Sequence, residues 1–268
     1  ITTHSYKNGF CKTATDKSIS LLNTIDSNHK ALALRGLHTC KTNINGNTLA
    51  SETITGTSLT QLLIDAYKTR VTDNVYHILD KLYDEIKKSS DSSDTLNSIF
   101  NSTKELTLDV LDKNDKLLAN GFIDMIHKNC FVDKEGNYIW IDQEWCFNDI
   151  PASYVLFHNI VELYSSNSWL NSYITIKQIF KHYNLNNKTT CYFNVKKAIF
   201  NTIQNQYSTF NYWQLSDFDY KNVENNIVML HNNLINNQNN ISETEKAINN
   251  ILNNGTIDEL VSYVNTLT

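Results

Sequence analysis

An α+β fold, β-rich with one helix over residues 1–56 and mostly helical over 57–268, is predicted by three features of this chain. Short apolar runs broken by Gly and Asn turns fill its first part. From Leu59 onward, apolar residues recur at helical intervals. Set among those helical windows, residues 121–145 read as strand, turn and strand.

Each element follows from local residue chemistry. Residues 1–6 alternate weakly, Lys7-Asn8-Gly9 is a turn, and Phe10-Cys11-Lys12 is a second short strand. Thr15-Asp16 opens a helix with Asp16 as its cap and Ile19, Leu22 and Ile25 on one face. A second hairpin joins 38–44 to 49–54 through Asn45-Gly46, a strong two-residue hairpin signal. Residues 51–59 then connect to the next helix, with Gly56 as a bend and Ser58 as a cap. Leu59, Leu62, Leu63 and Ala66, then Val75, Ile78, Leu79, Leu82 and Ile86, continue at helical spacing. Residues 89–93 form a polar loop, and 106–118 read as helix or as a turn into the central hairpin. A helix begins at Ile150 with Pro151 in its first turn, where the missing N–H costs nothing. Windows 173–183, 192–206 and 220–236 are also helical, with a loop at 213–219. Residues 242–252 and 257–267 form a helical hairpin about Asn253-Asn254-Gly255.

Composition excludes several classes. A formal charge of −5 and no basic stripe argue against a nucleic-acid surface, where Lys and Arg must neutralise phosphates. No apolar run reaches membrane-spanning length, and the start lacks a signal-peptide pattern, so a cytoplasmic location is expected. Cys11, Cys40, Cys130, Cys146 and Cys191 show neither a C-x-x-C pair nor metal spacing and read as reduced, mostly core thiols. The histidines share no ligand spacing, which disfavours a zinc hydrolase. The opening Ile suggests a piece of a longer multidomain chain, and the Asn, Lys and Ile usage suggests an AT-rich bacterial source.

Chemistry concentrates in the central hairpin. Asp124-x-x-x-x-Asn129 precedes Cys130-Phe131-Val132, the turn Asp133-Lys134-Glu135-Gly136-Asn137 reverses the chain, and Tyr138-Ile139-Trp140-Ile141 leads to Asp142. Folding the hairpin back brings Asp124, Asn129 and Asp142 to one end. Phosphoryl transfer needs an acid that handles the hydroxyl proton and oxygen ligands that hold Mg²⁺ across phosphates, and Asp and Asn supply both. His127 and Lys128 flank Asn129 and read as a solvated loop. Glu144 reads as a second-metal or acceptor-binding acid, or as a strand-end acid bonded to backbone, and Trp145 as a packing residue.

These residues carry a resemblance. Asp124-x-x-x-x-Asn129 followed by Ile141-Asp142 resembles the catalytic loop and metal-binding Asp of the protein-kinase-like superfamily, nearest its aminoglycoside and choline kinase branch. Asp142-Gln143-Glu144-Trp145 with Asp149-Ile150-Pro151-Ala152-Ser153-Tyr154 is similar to a bacterial kinase-like domain fused to methyltransferases or glycosyltransferases of surface-polysaccharide pathways. The resemblance implies a two-lobed kinase-like fold, with a reduced N-lobe at 1–56 and a C-lobe at 57–268. By it, Asp124 is the catalytic base and Asn129 and Asp142 hold Mg²⁺. Lys12 contacts the ATP phosphates, and the hinge residues Glu52, Thr53 and Ile54 bind adenine through their backbone. It further implies a small-molecule or glycan hydroxyl as acceptor. The chain departs from the family in lacking a first strand and Gly-rich loop. Phe122 stands where protein kinases place a His, and Gln143-Glu144 replaces Phe-Gly. The first helix also has no Glu to pair with Lys12. A non-catalytic binding module and a protein-modifying kinase or nucleotidyltransferase are the alternatives.

Overall fold

A computed structural model of the chain describes residues 1–6, 9–15, 18–101 and 115–206, all within one compact unit, Ile1–Tyr212. The capping role of Asp16, most of the 106–118 window, the 213–219 loop and the helical windows beyond it lie outside the described residues.

The N-terminal region is a four-stranded antiparallel sheet covered by a helix. Strands β1 (Thr2–Tyr6) and β2 (Gly9–Thr13) pair with Tyr6 opposite Gly9, as the turn at residues 7–9 predicts. Helix α1 (Ile19–Leu34) starts later than expected, after Ser18, whose hydroxyl turns back to Thr15. Leu22 and Ile25 of α1 bury against Ala14 and Leu49, with Ile1, Ile19 and Ile44 around them.

The expected strand over 38–44 is two strands serving two sheets. β3 (His38–Thr39) runs parallel to β10 (Tyr138–Trp140), while β4 (Thr42–Asn45) pairs with β5 (Thr48–Glu52), giving the order β1-β2-β5-β4. The turn residues are Gly46-Asn47, one later than expected. Only Gly46 has positive φ, which suits a hairpin with Gly at the first central position better than one with Asn-Gly at the centre.

The second sheet, β3-β10-β9-β6, contains strands from both sides of the expected boundary at residue 56. β6 (Thr57–Ser58) pairs with β9 (Cys130–Val132) so closely that a Cβ on Gly56 would meet the Val132 carbonyl oxygen at 2.5 Å. Gly56 lies in a bend, as expected, and it is the close approach of Val132, not a positive φ, that requires a glycine there. Ser58 does cap α2 (Leu59–Lys68), accepting from the Gln61 N–H at 3.2 Å.

Helices dominate the remainder. α3 (Thr72–Lys88) buries Val75, Leu79, Leu82 and Ile86, the stripe its spacing predicts. A short α4 (Ser98–Asn101) follows, then β7 (Leu117–Leu118) and β8 (Gly121–Phe122), which pair with β12 (Ile150–Pro151) and β11 (Cys146–Phe147). Pro151 thus lies in a strand and at the N-cap, one position before the helical turn expected for it. α5 (Ala152–Ser166) is buried on nearly every side, the signature of a central helix. α6 (Ile176–His182) opens with a capping box of Thr175 and Gln178, and α7 (Thr189–Gln206) packs on α4 and α5. Around α5, Tyr164 donates to the Ile174 carbonyl at 2.7 Å, so Tyr67 is the donor in the Tyr67–Tyr164 hydroxyl contact, also 2.7 Å. Among the described residues, no helix is long and apolar enough to cross a membrane.

Candidate functional site

The hairpin of β9 and β10 sets the site. Its turn is closed by Asp133, whose carboxylate accepts the Asn137 backbone N–H at 2.8 Å and side-chain amide at 3.0 Å, with Gly136 at φ +83°. The strands then place the preceding and following segments side by side. The Asn129 carbonyl accepts from Ile141 N–H at 2.9 Å, and the Asn129 amide donates to the Asp124 carbonyl at 3.1 Å. The Asp124 carboxylate accepts the backbone N–H groups of Glu144 at 2.9 Å and Trp145 at 2.7 Å. Asp124, Asn129 and Asp142 therefore meet at one end of the hairpin, as their spacing predicts.

Lys12 joins them from β2. Its ammonium pairs with Asp142 and with Glu144, the latter at 2.5 Å. The side chains of Lys12 and Glu144 are 15% and 13% exposed, whereas Asp142 is 37% exposed. Burial alone would lower the Lys12 pKa, but the two carboxylates outweigh it and raise the value. The ordinary surface lysine that a strand end suggests is thus not what this residue is. For Asp124, enclosure pushes the carboxyl well above the usual carboxylate range. The negative charges of Glu144 and Asp142 add to that, and the Trp145 and Glu144 N–H groups act the other way.

Asp142 has φ +56°, in the left-handed region that Asp enters more readily than most non-glycine residues. Gln143, next in the chain, is tightly held. Fully buried, its amide donates to the Ile141 carbonyl at 2.8 Å and the Asp124 carbonyl at 2.9 Å. Its backbone is gripped from α1, where Asn28 donates to the Gln143 carbonyl at 2.9 Å and His29 Nε2 accepts the Gln143 N–H at 3.4 Å. Asn28 and His29 stand at the candidate site and were not singled out by the sequence reading, and the hold they place on Gln143 was not foreseen. Their partners are too distant along the chain for any local pattern to show.

Beside this cluster lies a cleft of about 250 Å³. Phe10, Ile25, Leu49, Ile54, Phe131 and Ile141 make it apolar, and Lys12 and Asp142 stand on its wall. Of the expected hinge residues, Glu52 and Ile54 line the cleft, while the Thr53 side chain is exposed between them. The Glu52 carboxylate accepts from Lys41 N–H at 3.0 Å, and the Glu52 N–H donates to the Lys41 carbonyl at 3.2 Å, so the backbone donor of this hinge residue is already engaged. Among the described residues, no three His, Cys, Asp or Glu side chains form a group able to hold a metal by themselves. None of the five cysteines is in a disulfide; Cys40, Cys130 and Cys191 are buried and Cys11 and Cys146 half-buried.

His127 is not in a solvated loop. It is buried, its backbone N–H donates to Asn159 at 2.7 Å, and its Nδ1 lies 2.7 Å from the Thr60 hydroxyl, which itself donates to the His127 carbonyl. Nε2 is buried with no hydrogen-bond partner. His158 on α5 is similarly buried. Burial first, then neighbouring lysines, lowers the two pKa values to about 4 for His127 and about 3 for His158. An unfolded chain takes up these protons near the ordinary histidine value, so folding stability is lost as pH falls below that value toward the folded ones. Each histidine is expected to remove about 2 kcal/mol of stability between about pH 6.5 and about pH 5. Urea unfolding of the parent and of His127→Gln/His158→Gln checks this, since the double variant should show a clearly flatter pH dependence.

Comparison with protein-family models, with curated proteins and with solved structures finds no match for this chain, so function rests on the residues and geometry above.

Proposed function

We propose that the chain is an ATP- and Mg²⁺-dependent phosphotransferase acting on a hydroxyl of a sugar, glycan or other small molecule, on a two-lobed kinase-like fold. The observation that carries this reading is the pairing of Lys12 with Asp142 on the wall of an apolar cleft, beside the interlocked Asp124 and Asn129. The cleft suits a flat apolar base, with hinge backbone at Glu52, Thr53 and Ile54 for its polar edge. Lys12 suits the phosphates.

The donor set fits magnesium. This ion is usually held by one or two carboxylates together with substrate phosphates and water, so a complete protein cage is not required. Asp142 offers a carboxylate on the cleft wall, and Asn129, its amide N–H committed to the Asp124 carbonyl, retains Oδ1 as a coordinating oxygen. Asp142 and Asn129 would hold the ion, which would supply positive charge against the phosphates. Asp124 orients the acceptor hydroxyl and takes its proton. Two backbone N–H groups, from Glu144 and Trp145, fix the direction of its carboxylate.

Asp142→Asn is expected to weaken Mg·ATP binding at least about tenfold while leaving the melting temperature near the parent value, since Asn tolerates positive φ. Calorimetric titration measures this, and unchanged affinity would remove Asp142 from the site. A non-catalytic nucleotide-binding module is the second reading, favoured by the engagement of Lys12 with two acids of the 142–144 segment.

A further inference from the structure

Helix α1 offers the Lys12 ammonium no carboxylate partner. Its single acid, Asp26, is occupied by Lys30 at 2.6 Å and the Thr42 hydroxyl at 2.7 Å. Glu144 lies 2.5 Å from the Lys12 ammonium and is comparably enclosed.

We propose that Glu144 is the positioning residue for Lys12, holding its ammonium at the cleft wall. The inference rests on the nucleotide-site reading above and assigns Glu144 a part in it. Two features of the fold support the assignment. Glu144 is itself anchored, because its N–H donates to the Asp124 carboxylate and the preceding Gln143 is gripped at both backbone groups by Asn28 and His29. Helix α1 thus acts on the lysine indirectly, by fixing the segment that carries the acid. Asp142 also cannot serve both a metal ion and Lys12 equally well, whereas Glu144 can keep one of the three ammonium donors while the others turn to phosphate.

The test is a double-mutant cycle read by Mg·ATP titration, with melting temperature recorded for every variant. Glu144→Gln should weaken Mg·ATP binding about tenfold, as should Lys12→Ala. In the Lys12→Ala background, Glu144→Gln should have no further effect, because its influence passes through the ammonium. Glu144→Asp should recover part of the affinity lost in Glu144→Gln. Additive losses, or parent-like affinity in Glu144→Gln, would overturn the assignment while leaving the nucleotide site intact. A parent that does not bind Mg·ATP would overturn the nucleotide-site reading itself, and the assignment with it.

Discussion

Asp124→Asn is expected to bind Mg·ATP like the parent and to transfer phosphate at least about a hundredfold more slowly, the scale of losing a general base. The structure gives a reason for the separation. The Asp124 carboxylate accepts N–H groups from Glu144 and Trp145, and an Asn oxygen can accept the same two, so the loop keeps its shape. What the amide loses is basicity. A group acting only on the acceptor proton contributes to the transition state, so kcat and kcat/KM should fall together. A rise in the dissociation constant of Mg·ATP comparable to the rate loss would instead assign Asp124 to ground-state binding.

The largest stability effect is expected at Asp115. Its carboxylate pairs with Lys188 at 3.0 Å, the two side chains being only 2% and 6% exposed. It also accepts the Ser153 N–H at 3.1 Å and the Ser153 hydroxyl at the start of α5. Asp115→Ala strands a buried ammonium and takes the acceptor from the Ser153 N–H and hydroxyl, so it should cost about 3–5 kcal/mol, a large part of typical domain stability. Asp115→Ala/Lys188→Met should recover much of the loss, because an apolar pair needs no compensation. Urea denaturation of the three proteins decides it. A loss below about 1 kcal/mol in Asp115→Ala would show that solvent reaches the pair.

Where residue chemistry is local, the sequence is a good guide. Asp133, Gly136 and Asn137 write the turn into the chain, and the apolar runs on either side then place Asp124, Asn129 and Asp142 together. The α3 stripe and the first hairpin are legible for the same reason. Expectations fail where a distant partner decides. His38–Thr39 reads as the start of the β4 strand, but pairing with β10 draws it into another sheet. Asn45-Gly46 is a good turn pair, yet the register with β5 makes Gly46-Asn47 the turn. Gly56 does lie in the expected bend, but the close approach of Val132 that requires a glycine there is not visible in sequence. His127 looks exposed until Thr60 and Asn159 enclose it. At the site, the acids of the hairpin were legible, but the partnership of Lys12 with Glu144 spans most of the described chain, and nothing near either residue announces it. The hold on Gln143 is equally silent in sequence, since Asn28 and His29 reach it from α1.

The most direct measurement of the central claim is label transfer from γ-labelled ATP to a panel of sugars and glycan fragments, with magnesium and with chelator, and Asp124→Asn as the control. Phosphotransfer predicts a labelled phosphoester product, formed one for one with ADP, dependent on magnesium and nearly lost in the control. Tight Mg·ATP binding with no labelled product from any acceptor, and ATP turnover identical in parent and control, would contradict it and leave a nucleotide-binding module.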